Sequence, residues 1–192
     1  MLYYRYLAER RGLILWLTGL SGSGKTTIAK GVKCELRERG CLVELLDGDV
    51  VRTNLSKGLG FSRQDRNINV RRIGFVANLL SKNGVVAIAS VISPYRAARD
   101  ELRRTTENFI EVYVNAPLEV CEARDTKGLY AMARAGEISS FTGIDDPYEE
   151  PLNPDIICYT SEESIEESIA KVIAELEQLD FIPTKPQLEY SV

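Results

Sequence analysis

The chain has 192 residues, 44% apolar and 27% charged, with a formal net charge of −4. That is the balance of a globular domain with its own core; an acidic total gives no reason to expect nucleic acid, and no apolar run reaches the roughly 20 residues that span a bilayer. Histidine is absent altogether, which removes Ser-His-Asp hydrolysis, histidine acid–base chemistry and most zinc sites but leaves phosphoryl transfer, which works by positioning and charge stabilisation.

Residues 1–12 are aromatic and basic but lack an apolar stretch followed by a small-residue cleavage site, so no secretory signal is expected. Residues 13–18 (LILWLT) are apolar throughout and predict a buried strand. A helix over about 25–39 follows, with Ile28, Ala29, Val32 and Leu36 at helical spacing and Gly40 placed to end it. Residues 43–46 predict the next strand. A helix over about 65–83 then carries Ile73, Val76, Ala77 and Leu80 on one face and closes at Gly84. Residues 85–90 and 110–114 predict buried strands on either side of a charged helix over about 97–107, and 156–159 is the last strand. Thr160 and Glu163 have the spacing of a capping box for a final helix, with Ile165, Ile169, Val172, Ile173 and Leu176 on its core face. Strands apolar on both faces that alternate with helices predict a three-layer α/β fold: a mainly parallel five-stranded sheet with helices on both sides.

One domain over 1–192 is expected, with its core over about 12–179. Two stretches break the alternation. Residues 56–64 form a loop with Gly58 and Gly60, and residues 125–154 form a long polar segment rich in Gly, Asp and Pro that reads as a lid. The tail 180–192, with Pro183 and Pro186, is expected to be a loosely packed extension. Cys34, Cys41, Cys121 and Cys158 have neither metal-type spacing nor the pattern of a disulfide framework, and are expected as buried or half-buried thiols in a reducing cytoplasm.

The strongest signal is GLSGSGKT at 19–26, which fits G-x-x-x-x-G-K-[ST] between a buried strand and an amphipathic helix. Its glycines let successive backbone N–H groups face one concavity, and the helix N-terminus adds partial positive charge. Lys25 is expected to reach the β- and γ-phosphates and Thr26 to ligate magnesium. A GTPase switch would carry N-K-x-D, which is missing, and a motor would end strand 85–90 in a carboxylate, which it does not. The carboxylates stand instead at Asp47 and Asp49, at the end of the second strand, beside the crevice where α/β sheets bind ligands. One can hold a metal-bound water and the other can accept the proton of an attacking hydroxyl; a polar turn with an aspartate helix cap is the plainer alternative, and the two are compatible. Arg52, Arg63, Arg66, Arg71 and Arg72 cluster in an otherwise acidic chain, either to read an anionic substrate or on solvated helix faces.

With these residues in view, the chain resembles the adenosine 5′-phosphosulfate kinases over about 12–179. The resemblance is carried by LTGLSGSGKTT at 17–27, DGD at 47–49 with Arg52, and LGFS at 59–62 followed by Asp65, Arg66 and Asn69. ISPYR at 92–96, RDTKGLY at 124–130 and FTGIDDPY at 141–148 continue it in the same order. It implies magnesium–ATP as donor, the 3′-hydroxyl of adenosine 5′-phosphosulfate as acceptor, and a homodimer. ATP would be held by Gly19, Leu20, Ser21, Gly22, Ser23, Gly24, Lys25, Thr26 and Thr27, with Arg124 on the same side. Phe61 and Phe141 would sandwich the substrate adenine, and stacking is worth roughly 1–3 kcal/mol per base. Arg52, Arg66 and Asn69, with the backbone near Ile92, would hold the phosphosulfate and ribose. Lys127, Gly128 and Leu129 would belong to the lid, with Lys127 approaching the transferring phosphate. Asp49 would orient the 3′-hydroxyl and Asp47 would neighbour the magnesium. Ser93 is expected in the substrate pocket; the resemblance also makes it a candidate phosphoserine, though direct in-line transfer is more economical. Val50 stands where many members have asparagine, and 53–58 matches only a subset of them. A kinase for another metabolite and a regulatory module that holds ATP without turnover remain the alternatives.

Overall fold

The computed structural model describes residues 12–184. Five strands form one sheet: β1 (Leu13–Thr18), β2 (Val43–Asp47), β3 (Val86–Ser90), β4 (Phe109–Asn115) and β5 (Ile156–Tyr159). Their order is β2-β3-β1-β4-β5 and every pairing is parallel, in keeping with central strands β1 and β3 that are buried on both faces. In the central strand β1 all six residues are buried. Its pleat sends Leu13, Leu15 and Leu17 into one core, with residues of α1 (Lys25–Glu38) and α7 (Ile165–Gln178). Ile14 and Trp16 enter the other, with α3 (Arg63–Lys82) and α4 (Arg96–Thr105). Full burial of each such side chain is worth about 1.5–3 kcal/mol. Helices α1 and α7 approach closely because Gly31 has no side chain: a Cβ there would meet Ile169 Cδ1 at 2.1 Å.

The differences from expectation lie at element ends. Helix α3 starts at Arg63 because the Ser62 hydroxyl accepts the Asp65 N–H as its cap. The final helix does not open at Thr160. Glu162 and Glu163 N–H both turn back onto the Tyr159 carbonyl, and the capping box is Ser164 with Glu167. Ile165 is therefore the first helical residue and is half exposed rather than in the core. Three short helices, α2 (Gly48–Asn54), α5 (Leu118–Arg124) and α6 (Leu129–Arg134), were not predicted, since six or seven residues are too few to show a period. The part of the tail that is described is packed: Ile182 is buried in the α1/α7 core with Phe181 against it. Cys121 and Cys158 are buried and Cys41 half-buried, but Cys34 is exposed on the outer side of α1. Tyr3, Tyr4, Tyr6 and Pro186 lie outside the described residues. Among the described residues no helix is long and apolar enough to cross a membrane.

Candidate active site

The carboxyl ends of β1, β2 and β3 lead into one cavity of about 790 Å³. After β1 the chain enters the glycine loop, and α1 begins at Lys25 behind Gly24 in the left-handed region (φ 101°). Ser21, Gly22, Gly24, Lys25, Thr26 and Thr27 line the cavity. Lys25 is almost fully buried, and its ammonium donates to the Leu20 carbonyl at 2.6 Å. Burial lowers its pKa from 10.5 to about 8, so it is still charged at neutral pH. Gly19, Leu20 and Ser23 of the predicted loop stand behind the wall. Gly19 lies against the Val114 carbonyl, Ser23 is buried with its carbonyl accepting the Thr160 hydroxyl, and the Leu20 side chain lines a separate cavity beside β4 and β5.

The Thr26 hydroxyl donates to Asp47 Oδ2 at 3.1 Å and lies 3.2 Å from the Ser90 hydroxyl. Asp47 also caps α2 by accepting the Asp49 N–H through Oδ1, which is the helix-cap reading, and Oδ2 accepts from Thr26. Among the described residues no group of three or more His, Cys, Asp and Glu side chains could hold a metal. Hard oxygen donors in so small a number suit magnesium, which takes the rest of its shell from phosphates and water.

On the other side, Asp49 stands on α2 and ion-pairs with Lys127. The Arg52 guanidinium lies over the Phe61 ring, 4.0 Å from its centroid, and donates to the carbonyls of Leu59 and Gly60. Arg66 is buried and donates to the Phe61 carbonyl at 2.8 Å and to the Ser140 carbonyl. Burial lowers the proton affinity of both arginines, and Arg66 depresses that of Arg52 further, so an anion between them would be favoured. Phe61 is half exposed, while Phe141 packs edge-on against Tyr130 at 5.0 Å. All of these residues except Ser140, Leu59 and Gly60 line the cavity, as does Asn69, whose buried Oδ1 has no hydrogen-bond partner. The arginine cluster thus divides. Arg63 lies over Tyr95, Arg71 pairs with Glu101 and Arg72 donates to the Leu55 carbonyl, all away from the cavity lining.

Ile92 and Ser93 form the back wall. Ser93 is buried and held at φ 41°; its hydroxyl accepts the Trp16 indole N–H at 3.0 Å and donates to Thr18 at 2.9 Å. Over the top, Arg124 donates to Thr160, and the Tyr130 hydroxyl donates to the Ser21 carbonyl at 2.9 Å. Lys127 and Leu129 line the cavity, but Gly128 does not. Residues of the turn after β5 and of α7, namely Thr160, Glu163, Ser164, Ile165 and Ser168, line it too. Sequence reasoning missed them, because their one signal, the capping pattern, pointed to a helix end and was set four residues early.

The chain matches the family model described as adenylylsulphate kinase over residues 11–159. It is 63% identical over 174 residues to the adenylyl-sulfate kinase of Rippkaea orientalis, covering 91% of this chain and 96% of that protein. Among solved structures it is similar to the APS kinase CysC of Mycobacterium tuberculosis in complex with AMPPNP and APS. The TM-score is 0.83 at 46% identity, covering 87% of this chain and 98% of that one. A hexameric APS kinase from Thiobacillus denitrificans matches with a TM-score of 0.70 at 34% identity, over 92% of this chain and 31% of that one.

Proposed function

The chain belongs to the adenylylsulphate kinase family, and from that premise we propose how its own residues carry the reaction. The enzyme transfers the γ-phosphoryl group of ATP to the 3′-hydroxyl of adenosine 5′-phosphosulfate, giving 3′-phosphoadenosine 5′-phosphosulfate and ADP in sulfate assimilation. The observation that carries our reading is that a buried charged Lys25, the Asp49 carboxylate and the Arg52, Arg66, Phe61 set all line one cavity.

Lys25 and the α1 N-terminus hold the β- and γ-phosphates and offset the charge that spreads over the transferring group. Thr26 and Asp47 would hold Mg²⁺, which would neutralise phosphate charge when bound. Asp49 receives the 3′-hydroxyl, aligns its oxygen with the γ-phosphorus and accepts its proton. Lys127, paired with Asp49, stands where the transferring group passes, and Arg124 faces the ATP side. Arg52, Arg66 and Asn69 take the phosphosulfate and ribose, and Phe61 and Phe141 take the adenine. Ser93 acts as a wall residue rather than a phosphate carrier, since its buried hydroxyl is already engaged by Trp16 and Thr18.

Residues 125–154 act as a lid on a single domain, which the Tyr130–Ser21 contact supports. Phe75 and Leu79, exposed one turn apart on α3, support self-association as a homodimer, to be checked by sedimentation. Four free cysteines suit a reducing cytoplasm. A coupled assay of ADP release should show turnover with adenosine 5′-phosphosulfate and none with AMP, gluconate or shikimate. Tight ATP binding with no turnover on any of them would overturn the assignment in favour of a regulatory module.

A further inference from the structure

Phe141 stands on a loop whose shape depends on a carboxylate given no role so far. Asp145 accepts the N–H of Ser140 through Oδ2 and the N–H of Phe141 through Oδ1, both at 2.5 Å. From within the same loop the N–H groups of Ile144, Asp145 and Asp146 all return to the Phe141 carbonyl, at 3.1 to 3.2 Å. The backbone is therefore wound around Phe141, and the carboxylate pins its entry. Ser140 is held at φ 58°, a left-handed conformation that a non-glycine residue keeps only where its surroundings fix it.

The partner of this pin is Arg66. Its guanidinium grips the Ser140 carbonyl on one side and the Phe61 carbonyl on the other, with Asp146 Oδ2 3.7 Å from its Nε. One planar fork thus joins the two loops that carry the aromatic rings. Asp145 fixes the very peptide that the fork holds. The carboxyl group of Asp145 stays below the usual carboxylate range because the Phe141 and Ser140 N–H groups outweigh the cost of desolvating it.

We propose that Asp145 is a positioning residue for purine recognition: through the Ser140 and Phe141 N–H groups, and with the Arg66 bridge, it sets the attitude of the Phe141 ring toward Phe61. This rests on the reading that both rings hold the substrate adenine. Asp145 is exposed and belongs to neither sheet core; the apolar neighbours of its loop are Ala116, Cys121 and Tyr130, against which Phe141 and Ile144 pack. Arg66 serves the phosphosulfate as well in that reading, so Asp145 is the cleaner residue to change.

The test compares Asp145→Ala, Asp145→Asn, Phe141→Ala and the Asp145→Ala/Phe141→Ala double variant by steady-state kinetics, with thermal melts to confirm folding. Asp145→Ala should raise KM for adenosine 5′-phosphosulfate about tenfold, the effect of losing hydrogen bonds to a charged acceptor, and leave KM for ATP within about twofold. Asp145→Asn, which keeps an acceptor oxygen, should fall between; it decides alone if the alanine variant melts early. In the Phe141→Ala background Asp145→Ala should add less than about twofold, because the ring it positions is gone. If the two effects simply multiply, or if KM responds to Phe141→Ala but not to Asp145→Ala, the positioning role is overturned and the purine slot survives. If Phe141→Ala leaves that KM unchanged, the purine slot itself is overturned, and this proposal with it.

Discussion

The side of the cavity proposed for phosphate and the side proposed for substrate are held together by different forces. On the phosphate side, β1 is buried along its whole length and paired with β3 and β4, and the glycine loop connects it directly to α1. Geometry there follows from backbone pairing and apolar packing. The substrate side is assembled from segments far apart in the chain, and its ties are polar: Arg52 and Arg66 gripping loop carbonyls, Asp49 paired with Lys127, and Asp145 pinning the Phe141 loop. A buried guanidinium joins the two sides. Arg99 pairs with Glu111 of β4 at 2.8 Å and donates to the carbonyls of Ser93 and Glu149, at 2.5 and 2.6 Å. The end of segment 125–154 is thereby fastened to the back wall of the cavity. Polar ties of this kind exchange partners more readily than a packed sheet can slip.

If that contrast is right, chemistry should be lost on the substrate side without loss of nucleotide. Asp49→Ala should lower kcat by about 10²–10⁴, the span of a positioned general base, while calorimetry finds ATP affinity little changed; a parallel loss of ATP binding would blur the two sides. Next in size is the phosphate side's structural cost. Leu15→Ala removes a fully buried side chain of β1 and should cost about 2–5 kcal/mol in denaturant unfolding, whereas the half-exposed Phe61→Ala should stay within about 0.5 kcal/mol.

Lys127→Ala should lower kcat by about 10², as loss of one transition-state donor does. Its ion pair with Asp49 is largely exposed, so its stability cost should be about 0–1 kcal/mol, and a lowered melting temperature of core-variant size would count against the contrast. The smallest effect is a pH dependence. Burial brings the Lys25 ammonium down from 10.5 to about 8, so above that pH it is neutral in the free enzyme. A triphosphate favours the charged form, and binding must then take up a proton. ATP affinity should hold below about pH 8 and fall above it, by at most about tenfold per pH unit. A flat profile from pH 7 to 10 would show that Lys25 takes up no proton when ATP binds.

Several parts of this molecule were legible before any coordinates. The apolar runs announced a parallel sheet, since only strands covered on both faces can be apolar throughout. The glycine loop and Asp47 with Asp49 announced residues that line one cavity, because their spacing is local in the chain. Short helices such as α6 were not legible, nor was the true capping residue Ser164. A single turn has no period to detect, and several Ser, Thr and Glu residues in a row offer more than one capping register. The Trp16–Ser93 bond was equally hidden, as it joins residues 77 positions apart.

The sequence was enough to establish the class of fold and the glycine loop that opens α1, because each rests on residue chemistry at short spacing. Only the tertiary structure decided which arginines line the cavity, that the Ser93 hydroxyl is engaged by Trp16, and that Arg66 and Asp145 tie the Phe61 and Phe141 loops. Those outcomes depend on which carbonyls and carboxylates come within about 3 Å of a buried donor, and that distance is set by the packing of elements that are remote in the chain.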